Sequence, residues 1–129
     1  MFELTAANIN QVPLSRGIYQ IYAKSNGDFI AVQRFCGTDN SGKLYIGTTD
    51  KQTLRKRLNQ FRLSSDANYN TYNHSGALKY KNRPIIQQTL GENHTLYFSY
   101  IEDENPKELE YQLLQQYAEQ FGEYPPLNT

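Results

Sequence analysis

The chain has 129 residues, 38% of them hydrophobic, with 11 Tyr and 6 Phe, the size of one compact domain whose core leans on aromatic rings. A single cysteine, Cys36, excludes an internal disulfide framework and a thiolate metal cage, and is the usage expected of a reducing, cytoplasmic setting. No stretch approaches the ~20 apolar residues of a membrane span, the first residues lack the basic start and apolar run of a secretory signal, and 13 basic residues balance 13 acidic ones.

Residues 17–23, Gly-Ile-Tyr-Gln-Ile-Tyr-Ala, are rich in β-branched and aromatic side chains and predict a strand that ends at the turn cluster Ser25-Asn26-Gly27-Asp28. Residues 29–35 form a second extended candidate, 37–42 read as a turn, and 43–47 as another short strand, so an antiparallel arrangement follows. From Asp50 the period changes. Leu54, Leu58 and Phe61 recur at helical spacing, predicting a helix to about Leu63 with Thr49 or Asp50 as its cap. Residues 64–82 are polar and aperiodic and predict a long loop. Pro84 to Leu90, with Gly91 as a stop, predicts a short helix. His94 to Ile101 reads as a buried strand. Leu109, Leu113, Leu114, Tyr117, Ala118 and Phe121 mark an amphipathic helix from near Pro106 to just before Gly122, and the prolines at 125 and 126 bar its continuation. The expected class is mixed α/β of the α+β kind: one domain over residues 1–129, a small antiparallel central sheet flanked by helices.

The neutral total hides a segregation of charge. Residues 43–91 hold nine Lys or Arg against Asp50 and Asp66, while residues 92–129 hold Lys107 against eight acids. Such asymmetry can give a neutral domain a basic face that attracts a polyanion; equally, the two halves can neutralise each other on folding. Two charges fall on apolar helix faces. Arg57 lies three residues after Leu54 and four before Phe61, and Glu110 precedes Leu113, Leu114 and Tyr117 by three, four and seven. A charge on such a face is paired, snorkels to water, or is used. The plain account is an Arg57–Glu110 ion pair.

In order along the chain stand Gly17-Ile18-Tyr19, Tyr45-Ile46-Gly47, Leu54-Arg55-Lys56-Arg57-Leu58, Leu109-Glu110 and Pro126-Leu127-Asn128. This set resembles the GIY-YIG nuclease domain over positions 17 to 128. The resemblance implies a small antiparallel sheet with flanking helices and a phosphodiesterase of DNA that depends on a divalent metal. It also implies roles for the matching residues: Tyr19 and Tyr45 as the motif tyrosines, Arg57 as the phosphate-facing arginine, Glu110 as the metal-binding carboxylate and Asn128 as the supporting asparagine. The triplets are further apart than in many members. About two extra residues precede the Leu-x-x-Arg element, which makes Arg55 a rival to Arg57 by counting, whereas the helical face favours Arg57. Phe61 stands where many members have His, so a histidine step requires His74 to reach in from the predicted loop, as a proton carrier or an orienting donor; a lone loop His is otherwise a surface residue.

The chemistry asks for such a set. Mg²⁺ or Mn²⁺ is a hard cation, often held by one or two carboxylates with water and substrate phosphate, so Glu110 alone can serve. Arg57 offers a rigid charged fork to phosphate oxygens. A tyrosine with an unperturbed pKa of ~10 needs positive charge nearby, or a metal-bound water that shares the proton transfer, to act as a base; Lys43, two residues before Tyr45 and therefore on the same strand face, is the candidate for that charge. Sequence leaves open which tyrosine is the base. In residues 69–83, Lys and Arg interleave with Tyr, as suits a nucleic-acid path. The expected partner is DNA, with RNA or branched DNA as variants. The alternatives are a module that binds nucleic acid without cutting it, and a nuclease needing a partner specificity subunit or a homodimer.

Overall fold

The computed structural model describes residues 1–128. The elements in chain order are β1 (Phe2–Glu3), α1 (Ala6–Ile9), β2 (Gly17–Ser25), β3 (Asp28–Phe29), β4 (Val32–Arg34), β5 (Gly37–Asp39), β6 (Lys43–Thr48), α2 (Leu54–Ser65), α3 (Ser75–Asn82), α4 (Pro84–Leu90), β7 (His94–Glu102) and α5 (Pro106–Phe121). The fold is α+β. In the main sheet β2 is central, paired antiparallel with β7 along its whole length and with β6 and β3 on its other edge, while β1 adds to β7. A separate β4–β5 hairpin lies off this sheet. No helix is long and apolar enough to cross a membrane among the described residues.

Strand β2 carries the core on both faces, which explains its near-continuous apolar run. Tyr19, Ile21 and Ala23 point to one face, where they pack with Phe98 of β7, with Leu54, Leu58 and Phe61 of α2, and with Ala77 of α3. Helix α5 packs on β2, β5 and β6 and contributes nothing to that cluster; its Tyr117 donates to buried Asp39 of β5 at 2.6 Å.

Several local expectations are corrected. Helix α2 starts later than its period suggested, because Thr53 is the cap and accepts from the Lys56 N–H. Thr49 is used differently: its hydroxyl accepts from the Gly17 N–H at 3.0 Å and its own N–H donates to the Gly17 carbonyl, tying the ends of β6 and β2. The extended segment 29–35 is broken into β3 and β4, and the turn at 37–42 contains β5. The predicted loop 64–82 holds helix α3, which is only 8 residues long and buries just Gly76 and Ala77, so no period showed. The short β1 and α1 were not foreseen.

Candidate active site

Strand β6 brings Tyr45 and Gly47 beside Tyr19 of β2. Tyr19 pairs with Gly47 in the ladder and Ile21 with Tyr45, so both phenols lie on the face covered by α2 and α3. Their ring centroids are 6.0 Å apart. Gly47 is required there: a Cβ would meet Tyr19 Cζ at 2.4 Å and Tyr45 Cε2 at 2.5 Å. The two tyrosines differ in exposure. Tyr19 is 0% exposed, whereas Tyr45 is half-buried.

His74 arrives from the N-terminal cap of α3. It is 1% exposed, stands edge-on to Phe61 with centroids 4.8 Å apart and to Tyr45 at 5.3 Å, and its Nε2 is 2.7 Å from Tyr19 Oη. Phe61 is thus a packing wall for the imidazole. Burial, and then the Arg57 charge, bring the His74 pKa down to about 3. Gly76 lets the first turn of α3 close on Tyr45, since a Cβ there would meet Tyr45 Cε1 at 2.9 Å. An unexplained glycine two residues after a histidine in a polar stretch was the signal for this contact.

Arg57 reaches the same place and Arg55 does not. Arg55 Nε donates to the Val12 carbonyl at 2.8 Å, while Arg57 Nη1 donates to Gln60 Oε1 at 2.8 Å and to the Asn73 carbonyl at 3.0 Å. Burial raises the hydroxyl pKa of Tyr19 well above the ordinary tyrosine value, as does Tyr45, and Arg57 opposes the shift. The same holds more mildly for Tyr45, where burial raises, Arg57 lowers and the Glu110 charge raises the value. Glu110, on α5, is therefore close enough to influence Tyr45. Its own pKa is raised by burial and lowered by Lys107. The Arg57–Glu110 ion pair is not formed: among the described residues the ion pairs are Arg34–Glu123 and Lys107–Asp50.

Lys43 is a correction. The β2–β6 register shifts between Ile21 and Tyr22, so Tyr45 pairs with Ile21 and Lys43 with Tyr22. Because Ile21 and Tyr22 point to opposite faces, the bulge puts Lys43 on the face away from Tyr45. There its ammonium lies 5.9 Å from the Tyr22 ring centre, and burial lowers its pKa against the pull of Asp39. Asn128 has a structural place: its side chain accepts from the Ile46 N–H at 2.9 Å and donates to the Ile46 carbonyl at 2.8 Å, fixing the strand between the two positions that matter.

Neither ion pair uses any of the nine basic residues of 43–91 among the described residues. Helices α2 and α3, which pack together, carry Arg57 and Arg62 and Lys79 and Lys81 respectively. The Lys81 ammonium lies 5.5 Å from the exposed Tyr72 ring.

Among the described residues no group of three or more His, Cys, Asp or Glu is gathered to hold a metal. A cation at this site would rest on Glu110, a half-buried carboxylate in no ion pair, with water and substrate phosphate completing its shell. That donor set fits Mg²⁺ or Mn²⁺. Comparison with protein-family models, curated proteins and solved structures finds no match.

Proposed function

We propose that the chain is a divalent-metal-dependent endonuclease of the GIY-YIG kind acting on DNA. The observation that carries this reading is that two phenols, from β2 and β6, meet over a glycine that cannot bear a side chain, where the charge of Arg57 from α2 acts on both and that of Glu110 from α5 acts on Tyr45. Each does what phosphodiester hydrolysis needs. A water gives a proton to one of the phenols in its phenolate form, the resulting hydroxide bonds to phosphorus, the P–O3′ bond breaks, and the 3′ oxygen takes a proton from solvent. The Arg57 charge acts on both hydroxyls, opposing the burial that raises their pKa; it favours the phenolate and faces the charge that develops on the phosphate oxygens. Glu110 would hold Mg²⁺ or Mn²⁺, which supplies Lewis-acid charge to the phosphate. The unpaired cations of α2 and α3 supply the track for the nucleic-acid backbone.

Purified protein with Mn²⁺ should nick supercoiled plasmid, and Glu110→Gln and Arg57→Gln should each lower the rate at least ~10²-fold while circular dichroism stays unchanged. If the wild type retards DNA in a gel but cuts no DNA or RNA substrate, duplex or branched, with either metal, the non-cutting binding module replaces this reading. Cutting only after mixing with a partner, or only as a dimer, would assign the chain as one subunit of a larger nuclease.

A further inference from the structure

The two nitrogens of His74 are not equivalent. Nδ1 accepts from the Ala77 backbone N–H at 3.2 Å, as the side-chain cap of α3. A backbone amide can only donate, so Nδ1 carries no proton, and the hydrogen of the neutral imidazole sits on Nε2. Nε2 is the atom 2.7 Å from Tyr19 Oη. That bond therefore runs from imidazole to phenol, and the phenol must aim its own hydrogen elsewhere. The groups facing this point are Tyr45 from β6, and Arg57 and Phe61 from α2. Arg57 accepts nothing and Phe61 is apolar, which leaves Tyr45, its ring centre 6.0 Å from that of Tyr19, as the facing side chain able to accept.

We infer that His74 is a positioning residue, locked by the helix cap as an Nε2–H donor, which turns the Tyr19 hydroxyl toward Tyr45 and takes no proton during turnover. Tyr45, half-buried where Tyr19 is sealed, is then the phenol whose oxygen meets the attacking water, and Tyr19 is the donor that steadies its phenolate. The role in turnover rests on the nuclease reading above; the direction of the His74–Tyr19 hydrogen bond does not. The neutrality of His74 is supported by its burial and by the adjacent guanidinium.

The test has two arms. Long-range ¹H–¹⁵N spectra of histidine-labelled wild type are recorded between about pH 5 and 8, with His94→Gln assigning the second imidazole. The expected result is a neutral His74 with a protonated Nε2 and a bare Nδ1 throughout. A protonated Nδ1, or conversion to imidazolium above about pH 5, overturns the inference. In the second arm, plasmid nicking by His74→Gln is followed against pH. Gln offers an N–H donor but no titrating group, so the variant should stay within about tenfold of wild type with the same pH profile. Loss of ~10² or more, together with loss of a pH limb seen in the wild type, would make His74 a proton carrier instead. If Tyr45→Phe nicks at the wild-type rate while Tyr19→Phe does not, the assignment of the two phenols is reversed. If the wild type shows no nuclease activity, the nuclease reading fails and the spectra still decide the hydrogen-bond direction. Should His74→Gln not fold, the wild-type spectra again decide.

Discussion

Acid should find His74 before it finds the rest of the core. The folded imidazole is held down to about 3 by burial and by the Arg57 charge, against 6.5 for the free side chain. Above pH 6.5 it is neutral in both folded and unfolded chains. As the pH falls below 6.5 the unfolded chain binds a proton that the folded one refuses, so stability is lost until about pH 3, where the folded state protonates too. At pH 4 roughly 2.5 units of that window have been crossed, and at about 1.36 kcal/mol per unit the loss is about 3 kcal/mol. That is a large part of a typical stability of ~5–15 kcal/mol. The measurement is urea unfolding of wild type and His74→Asn, which retains a capping side chain but cannot titrate. Carboxylates common to both proteins drop out of the difference. Between about pH 7 and pH 4 the wild type should lose about 3 kcal/mol more than the variant. Parallel pH dependences would refute a buried neutral imidazole at this position.

Gly47→Ala should cost about 1–3 kcal/mol in urea unfolding and depress nicking, because the methyl group must displace both phenol rings; an unchanged midpoint would mean the rings do not lie over the glycine. Asn128→Ala removes both partners of the Ile46 peptide and should cost about 1–2 kcal/mol, with faster amide exchange confined to β6 as the check. Tyr117→Phe strips the hydroxyl from Asp39, a carboxylate 3% exposed, and should lower stability by about 1–3 kcal/mol without touching the nicking rate.

Much of the sheet was legible because its strands carry a local signal. Residues 17–23 and 94–101 are long, apolar and β-branched or aromatic, and they became β2 and β7. The inward lean of Arg57 was equally legible, since helical spacing is rigid once Leu54, Leu58 and Phe61 fix the face. What was not legible depended on single-residue events. One extra residue at the β6 bulge turned Lys43 away from Tyr45, and strand alternation gives no warning of a bulge. Thr53 rather than Thr49 caps α2 because Thr49 is engaged by Gly17 on another strand, a partner 32 residues away. The burial of His74 was hidden in the same way: its ligands are an amide three residues on and a phenol 55 residues back, and neither leaves a periodic trace in a stretch that is otherwise polar.

The outer margin of β6 also bears on how this molecule meets copies of itself. An edge strand with free peptide groups is a template for pairing with another chain. Here Leu127 donates to the Leu44 carbonyl and the Asn128 amide takes both polar groups of Ile46, so residues 127–128 act as a short surrogate strand. A second molecule cannot extend the sheet through these groups without first peeling that segment away, and any self-association that leaves the segment in place must use another surface.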